Sequence, residues 1–246
     1  MCENNNTVKI LGINFIYGDF EDAISRLNQG ALMVVPAAPA LAMINSDVKY
    51  YQALQKSDFA IPDSGFMILI LKLFKGIKLK KLSGLEFLRK FLNDEKVKQS
   101  NDIFFIDPTP EDSIINNQFL IKNGVLIEKS NHYIAPVYNN DNIIDTLLLD
   151  IIEKKKPKYI IINLGGGVQE RLGLYLKNHL SYIPGIICTG AAIAFLTGRQ
   201  ANIPNYADKF HLGWLYRCIE NPKKFIPRYL RGFLLLPLLI KESIKR

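Results

Sequence analysis

The chain has 246 residues, 48% of them hydrophobic and 22% charged, with a formal net charge of +8. That much apolar side chain excludes general disorder and can fill one large α/β core. No stretch reaches the roughly eighteen uninterrupted apolar residues of a bilayer-spanning helix, so any membrane contact is expected to be peripheral.

Taken in chain order, the first seven residues are polar and have no apolar stretch of the kind a secretory leader needs. Residues 31–35 read as a buried strand ending at Pro36, and 40–54 as a helix. A short strand at 59–61 is stopped by Pro62-Asp63-Ser64-Gly65, and 66–74 follows as an apolar helix. Residues 103–106 form another strand, ending at Asp107-Pro108, and 143–155 an amphipathic helix. The clearest unit comes next: a strand over 157–164, a turn of three glycines at Gly165, Gly166 and Gly167, and a helix over 168–180. A last strand at 186–188 leads to Gly190 and a helix start rich in small residues. Ile- and Val-rich strands alternating with helices imply a mostly parallel sheet covered on both faces. Residues 1–200 are therefore expected to make one doubly wound α/β domain, with 201–246 an addition to it.

That addition carries most of the charge. Nine Lys or Arg stand there against three acids, giving +6 of the chain's +8, beside the single tryptophan, Trp214, and an aliphatic run at 233–240. Basic residues interleaved with aromatic and aliphatic ones suit an anionic membrane surface. They equally suit a C-terminal helix packed on its own domain, with charges on the wet face. Nucleic acid is not expected, because a phosphate-tracking groove has little use for the leucines, and the other two hundred residues carry only +2.

In such a sheet, ligands bind outside the carboxyl ends of the strands. Asp63 sits where a strand ends and can take a proton from a hydroxyl, or can simply cap the helix that follows. The glycine turn lets backbone N–H groups approach an anion at a helix N-terminus, where a diphosphate fits. It lacks dinucleotide or phosphate-loop spacing. Gln169 follows as an uncharged amide able to contact a sugar or phosphate, while Glu170 can merely complement the helix dipole. Arg217, Arg228 and Arg231 offer guanidinium forks for phosphate oxygens, or a solvated face. Pro222 and Pro227 are expected to break the helix there. His132, His179 and His211 are scattered and read as structural, and Cys2, Cys188 and Cys218 have no metal-like spacing, which fits a reducing cytoplasm.

Together, Ile61-Pro-Asp-Ser-Gly65, Lys81-Leu-Ser-Gly84, Gly165-Gly-Gly-Val-Gln-Glu170 and Leu212-Gly-Trp-Leu-Tyr-Arg217, with Pro222 and Arg228-Tyr229, resemble motifs of the WecG/TagA/CpsF glycosyltransferases, in order and at matching spacing. The resemblance runs from about 34 to 229. It implies a Rossmann-like core with a helical, membrane-associating C-terminal appendage. The activity it implies is an inverting, metal-independent transfer of an amino sugar such as N-acetylmannosamine from a UDP-type donor to a polyprenyl-diphosphate-linked acceptor. That work is done at the cytoplasmic face of the membrane, in surface or wall polysaccharide synthesis, without a cofactor. Asp63 would then be the general base. Gln169 and the Gly165–Gly167 amides would contact the donor, and Lys81, Arg217, Arg228 and Arg231 would offset charge on the leaving nucleotide. A homo-oligomer is compatible with this.

The chain also departs from the pattern. The family's Thr-Pro-Asn-Pro is Pro36-Ala-Ala-Pro39, a Gly-Gly turn is Asp107-Pro-Thr-Pro110, an arginine is Lys81 and a glutamate is Gly213. Losing the polar Thr and Asn points to a changed sugar, or to a membrane-associated protein that binds nucleotide or lipid-linked sugars without catalysis. A nucleotide-cofactor oxidoreductase fits less well, since no acidic residue stands about twenty positions beyond the glycine turn to hold a ribose.

Overall fold

Leu11 and Gly12, both left-handed at φ 50° and 69°, reverse the chain between β1 (Thr7–Ile10) and β2 (Ile13–Ile16), which pair antiparallel. Positive φ at both central residues matches the twist a two-residue hairpin requires. The computed structural model describes residues 6–138, 143–199, 218–219 and 221–242, without the side chains of 224, 225, 228 and 229.

The remaining strands are β3 (Ala31–Val34), β4 (Phe59–Ala60), β5 (Ile103–Asp107), β6 (His132–Ile134), β7 (Tyr159–Ile162) and β8 (Gly185–Cys188). They pair in parallel, and the eight-stranded order is β1-β2-β4-β3-β8-β7-β5-β6. The protein is thus a mixed α/β fold on a mostly parallel sheet. Pleating sends alternate side chains of β3 to opposite faces, and both faces are buried. Leu32 and Val34 join a core with α3 (Val48–Lys56), α4 (Gly65–Lys75), α8 (Thr146–Lys155) and α9 (Val168–His179). Ala31 and Met33 join the other, with α1 (Phe20–Asn28), α5 (Gly84–Asn93), α6 (Glu95–Lys98), α7 (Pro110–Lys122) and α10 (Ala192–Leu196).

The single helix expected over 40–54 is two. α2 (Ala38–Leu41) ends early, and α3 starts afresh because the Asp47 carboxylate caps it, accepting the Tyr50 N–H at 2.9 Å. Asp47 also pairs with Arg171 of α9 at 3.0 Å, which clamps α3 to its neighbour on the same face.

α9 lies close on the sheet because Gly173 has no side chain. A Cβ there would sit 2.7 Å from Leu32 Cδ1 and 3.1 Å from Cys188 Sγ. Gly173→Val is expected to lower stability by about 1–3 kcal/mol through overpacking, read as a lower urea midpoint at unchanged slope.

The described part of the C-terminal segment packs on this body. α11 (Pro222–Gly232) lies against α2, with Gly232 so placed that a Cβ would be 3.7 Å from Pro39 Cγ. Pro227 does not break α11, contrary to the sequence expectation; the helix runs through it, and Pro222 takes the first position, where a missing N–H costs nothing. α12 (Leu235–Lys241) buries Leu235 and Leu239 in the α3/α4 core, and Phe233 meets Phe66 of α4 edge-on at 5.2 Å. Lys75 Nζ donates to the carbonyls of Ile240 (2.6 Å) and Glu242 (2.9 Å), and the Leu11 N–H donates to the Glu242 carboxylate. Among the described residues no helix is long and apolar enough to cross a membrane.

Candidate active site

Parallel pairing brings the exits of β4, β3, β8, β7 and β5 side by side along one edge. Val34 pairs with both Ala60 and Cys188, Ile161 with Ile187, and Ile106 with Ile162. Asp63, Pro36, Gly190, Gly165 and Asp107 therefore line up within a few residues of that edge. β5 and β7 are neighbours whose onward connections leave in opposite directions, to β6 and β8, the kind of point where open α/β sheets form ligand crevices.

Asp63 is half-buried on the β4 exit, its N–H donating to the Ile61 carbonyl at 3.0 Å. It is not the helix cap. Ser64 is, its hydroxyl accepting the Met67 N–H at 3.2 Å. The helix-capping reading of Asp63 is thereby removed. Lys81 is brought beside this turn, because the next residue, Leu82, donates its N–H to the Pro62 carbonyl at 3.2 Å. Gly84 explains the tight approach of that motif. A Cβ there would sit 3.0 Å from Val35 Cγ1 at the β3 exit.

Across the edge, Gly165 and Gly166 are exposed, and within the described protein nothing lies within 4 Å of where their Cβ atoms would be. Gly167 needs to be glycine for its backbone, at φ 91°. Glu170 does more than complement a dipole. Its carboxylate, fully buried, accepts the Gly167 N–H at 2.6 Å and the Gln169 Nε2–H at 2.9 Å. Burial pushes its carboxyl above the usual range, and these hydrogen bonds and nearby Arg171 oppose the shift.

Gln169 is buried as well. Its Oε1 accepts the Gly190 N–H at 2.7 Å, so the side chain ties the β7 turn to the β8 turn. One Nε2 hydrogen goes to Glu170, and the amide carries a second. Cys188, beneath these turns, is held as a thiol by burial and by the charge of Glu170.

The sequence expectation missed a polar cluster at the β5 exit. Asp107 is fully buried, its Oδ1 accepting from Asn116 Nδ2 (2.7 Å) and Asn163 Nδ2 (2.8 Å) and its Oδ2 lying 2.7 Å from His132 Nδ1. His132 stacks on Phe105 with ring centroids 5.2 Å apart. These four residues come from two helix-separated strands, a helix and a turn, so no sequence spacing announces them. The signal that could have found them is the polar character of Asp107 and Asn163 at the ends of otherwise apolar strands.

On the C-terminal segment, Arg231 is exposed in the last turn of α11 and Arg228 lies in the same helix. Trp214, Gly213, His211 and Arg217 lie outside the described residues. The contact of Gly232 with Pro39 sets α11 next to the β3 exit, the same edge that carries Asp63.

The model of the WecG/TagA/CpsF glycosyl transferase family matches residues 8–246. The chain belongs to this family. A Bacillus spizizenii protein named N-acetylglucosaminyldiphosphoundecaprenol N-acetyl-β-D-mannosaminyltransferase is 23% identical, over 93% of this chain and 91% of the relative. A Bacillus subtilis protein of the same name is 24% identical over 74% of this chain and 71% of its own length. This WecG/TagA/CpsF protein is thus a glycosyltransferase, and its 61–65, 81–84 and 165–170 motifs lie along one edge of its sheet.

Proposed function

We propose that the protein is an inverting transferase that moves a sugar from a nucleotide-diphosphate donor, of the UDP type, to a sugar on a polyprenyl diphosphate. The relatives' names supply the reference pair: N-acetylmannosamine moved onto N-acetylglucosaminyl-diphosphoundecaprenol. The observation that supports the reading is Asp63 at a strand exit, not used as the helix cap, on the same sheet edge as the glycine turn.

In this reading the acceptor hydroxyl oxygen attacks the anomeric carbon while Asp63 takes its proton. The bond from that carbon to the nucleoside diphosphate breaks, and the diphosphate leaves with the electron pair. The Gly165–Gly167 amides and the second Nε2 hydrogen of Gln169 bind the donor. Lys81, Arg217, Arg228 and Arg231 offset the charge growing on the leaving group. No metal takes part, and the core is used as a Rossmann-like frame with residues 201–246 as a membrane-associating appendage. The protein works at the cytoplasmic face of the membrane.

Pro36 and Ala38 argue for a donor other than the relatives' sugar, since a site that loses hydrogen-bonding side chains loses its preference for the hydroxyls they bound. They also favour a second reading, a binding protein without transfer. The test is to incubate the full chain with radiolabelled UDP-N-acetylmannosamine, and in parallel other UDP-sugars, with N-acetylglucosaminyl-diphosphopolyprenol in vesicles. Label passing into the lipid fraction with release of UDP is expected. Donor that binds but never transfers would overturn the proposal in favour of the second reading.

A further inference from the structure

α4 is apolar on both of its faces. Met67, Ile70 and Leu71 turn inward to the sheet, while Leu69, Leu73 and Phe74 point outward, each more than half exposed. A helix apolar all round is normally covered on both sides. The described part of the C-terminal segment reaches α4 but does not cover that outer face. It buries Leu235 and Leu239 and leaves Leu230, Phe233, Leu234 and Ile240 exposed, so it extends the apolar surface instead of closing it.

The charge around this surface is of one sign. Residues 64–82 hold five lysines and no acid, and residues 221–242 hold five Lys or Arg and one acid. The carboxylate of that acid, Glu242, accepts the Leu11 N–H, with the charge of Lys75 nearby. Lys72, Arg231 and Lys241 are exposed on the same helices as the apolar side chains, and Lys78 and Lys80 are exposed on the segment that follows α4. The pattern decides the occupant. A second copy of the chain would set one row of cations against another, and like charges across an interface oppose association. An anionic leaflet satisfies both halves, with phosphates for the cations and acyl chains for the leucines and phenylalanines.

We infer that the outer face of α4, together with α11 and α12, is a single seat for an anionic lipid leaflet, so that membrane contact is built into the catalytic body and not confined to the C-terminal segment. The inference deepens the proposed function and rests on its membrane setting. α4 begins two residues after Asp63, and α11 lies against α2 at the same edge. The lipid-facing surface therefore runs from the reacting edge down to the Leu11 turn. An acceptor hydroxyl held at the headgroup level reaches the base without leaving the interface.

The experiment is flotation of the full chain with vesicles of phosphatidylcholine alone or with phosphatidylglycerol added, in the absence of any sugar substrate. Its outcome is therefore independent of whether the protein transfers a sugar. Binding only to the anionic vesicles is expected. L69S/L73S/F74S, a change confined to exposed positions, should weaken that binding by about tenfold or more, with unaltered circular dichroism and thermal unfolding. The charge variant K72E/K78E should do the same and flatten the salt dependence of whatever binding remains. Wild-type-like vesicle binding in both variants would overturn the inference. So would wild type that ignores anionic vesicles and instead forms a dimer, seen by sedimentation, that L69S/L73S/F74S dissolves.

Discussion

Asp63→Asn is expected to bind the nucleotide-sugar donor as wild type does and to turn over about 10²–10⁴-fold more slowly, the usual loss when a general base is removed. The substitution keeps size and shape, and the backbone contact of residue 63 with the Ile61 carbonyl is untouched. Helix α4 does not depend on the carboxylate either, because Ser64 caps it. Ser64→Ala supplies the contrast. It should cost about 1 kcal/mol of stability through the lost cap and leave turnover close to wild type. Steady-state transfer rates, donor titration and urea unfolding on both variants separate the two roles. Wild-type turnover in Asp63→Asn would remove Asp63 from the chemistry. An equal loss of stability in both would mean that Asp63 serves the fold.

That distinction between Asp63 and Ser64 marks the limit of what spacing reveals. Pro62-Asp63-Ser64-Gly65 announces a turn and a helix start, but either polar residue can cap, and only the hydrogen bond from Met67 decides. The central strands were legible for a simple reason. β3, β7 and β8 are buried on both faces, so they read as unbroken apolar runs. The edges were not. β6 is three residues beginning with His132, and the β1–β2 hairpin turns on Leu11-Gly12 without the usual Asn-Gly or Asp-Gly. α1 and α7 carry readable starts: Asp19 and Asp22 in a reciprocal cap, and Thr109 before Pro110. The order of strands is a tertiary fact, and with it the meeting of Asp63, Lys81 and the glycine turn on one edge. Family motifs anticipated that gathering; hydrophobic periodicity could not.

The largest stability effect is expected at Asp107, fully buried at the β5 exit. Asp107→Ala strands three partners inside the protein: Asn116 Nδ2, Asn163 Nδ2 and His132 Nδ1, all within 2.8 Å of the lost carboxylate. Burial leaves them no water to turn to, so the cost should be about 3–5 kcal/mol, the range for breaking a buried charged network on one side. Asp107→Asn should cost much less. Its carbonyl still accepts from both asparagines, and its amide can donate to His132 in the tautomer with the proton on Nε2. Urea unfolding at neutral pH measures both, with the slope as a check that the unfolded state is unchanged. The effect should also reach the site, because Asn163 stands two residues before Gly165. A slackened Asn163 should raise the donor KM in Asp107→Ala while turnover at saturating donor holds, since Asp63 lies on the far side of β3 and β8 from this cluster. A wild-type urea midpoint in Asp107→Ala would show that the cluster bears no net stability. A fall in saturated turnover with unchanged KM would instead tie Asp107 to the chemical step.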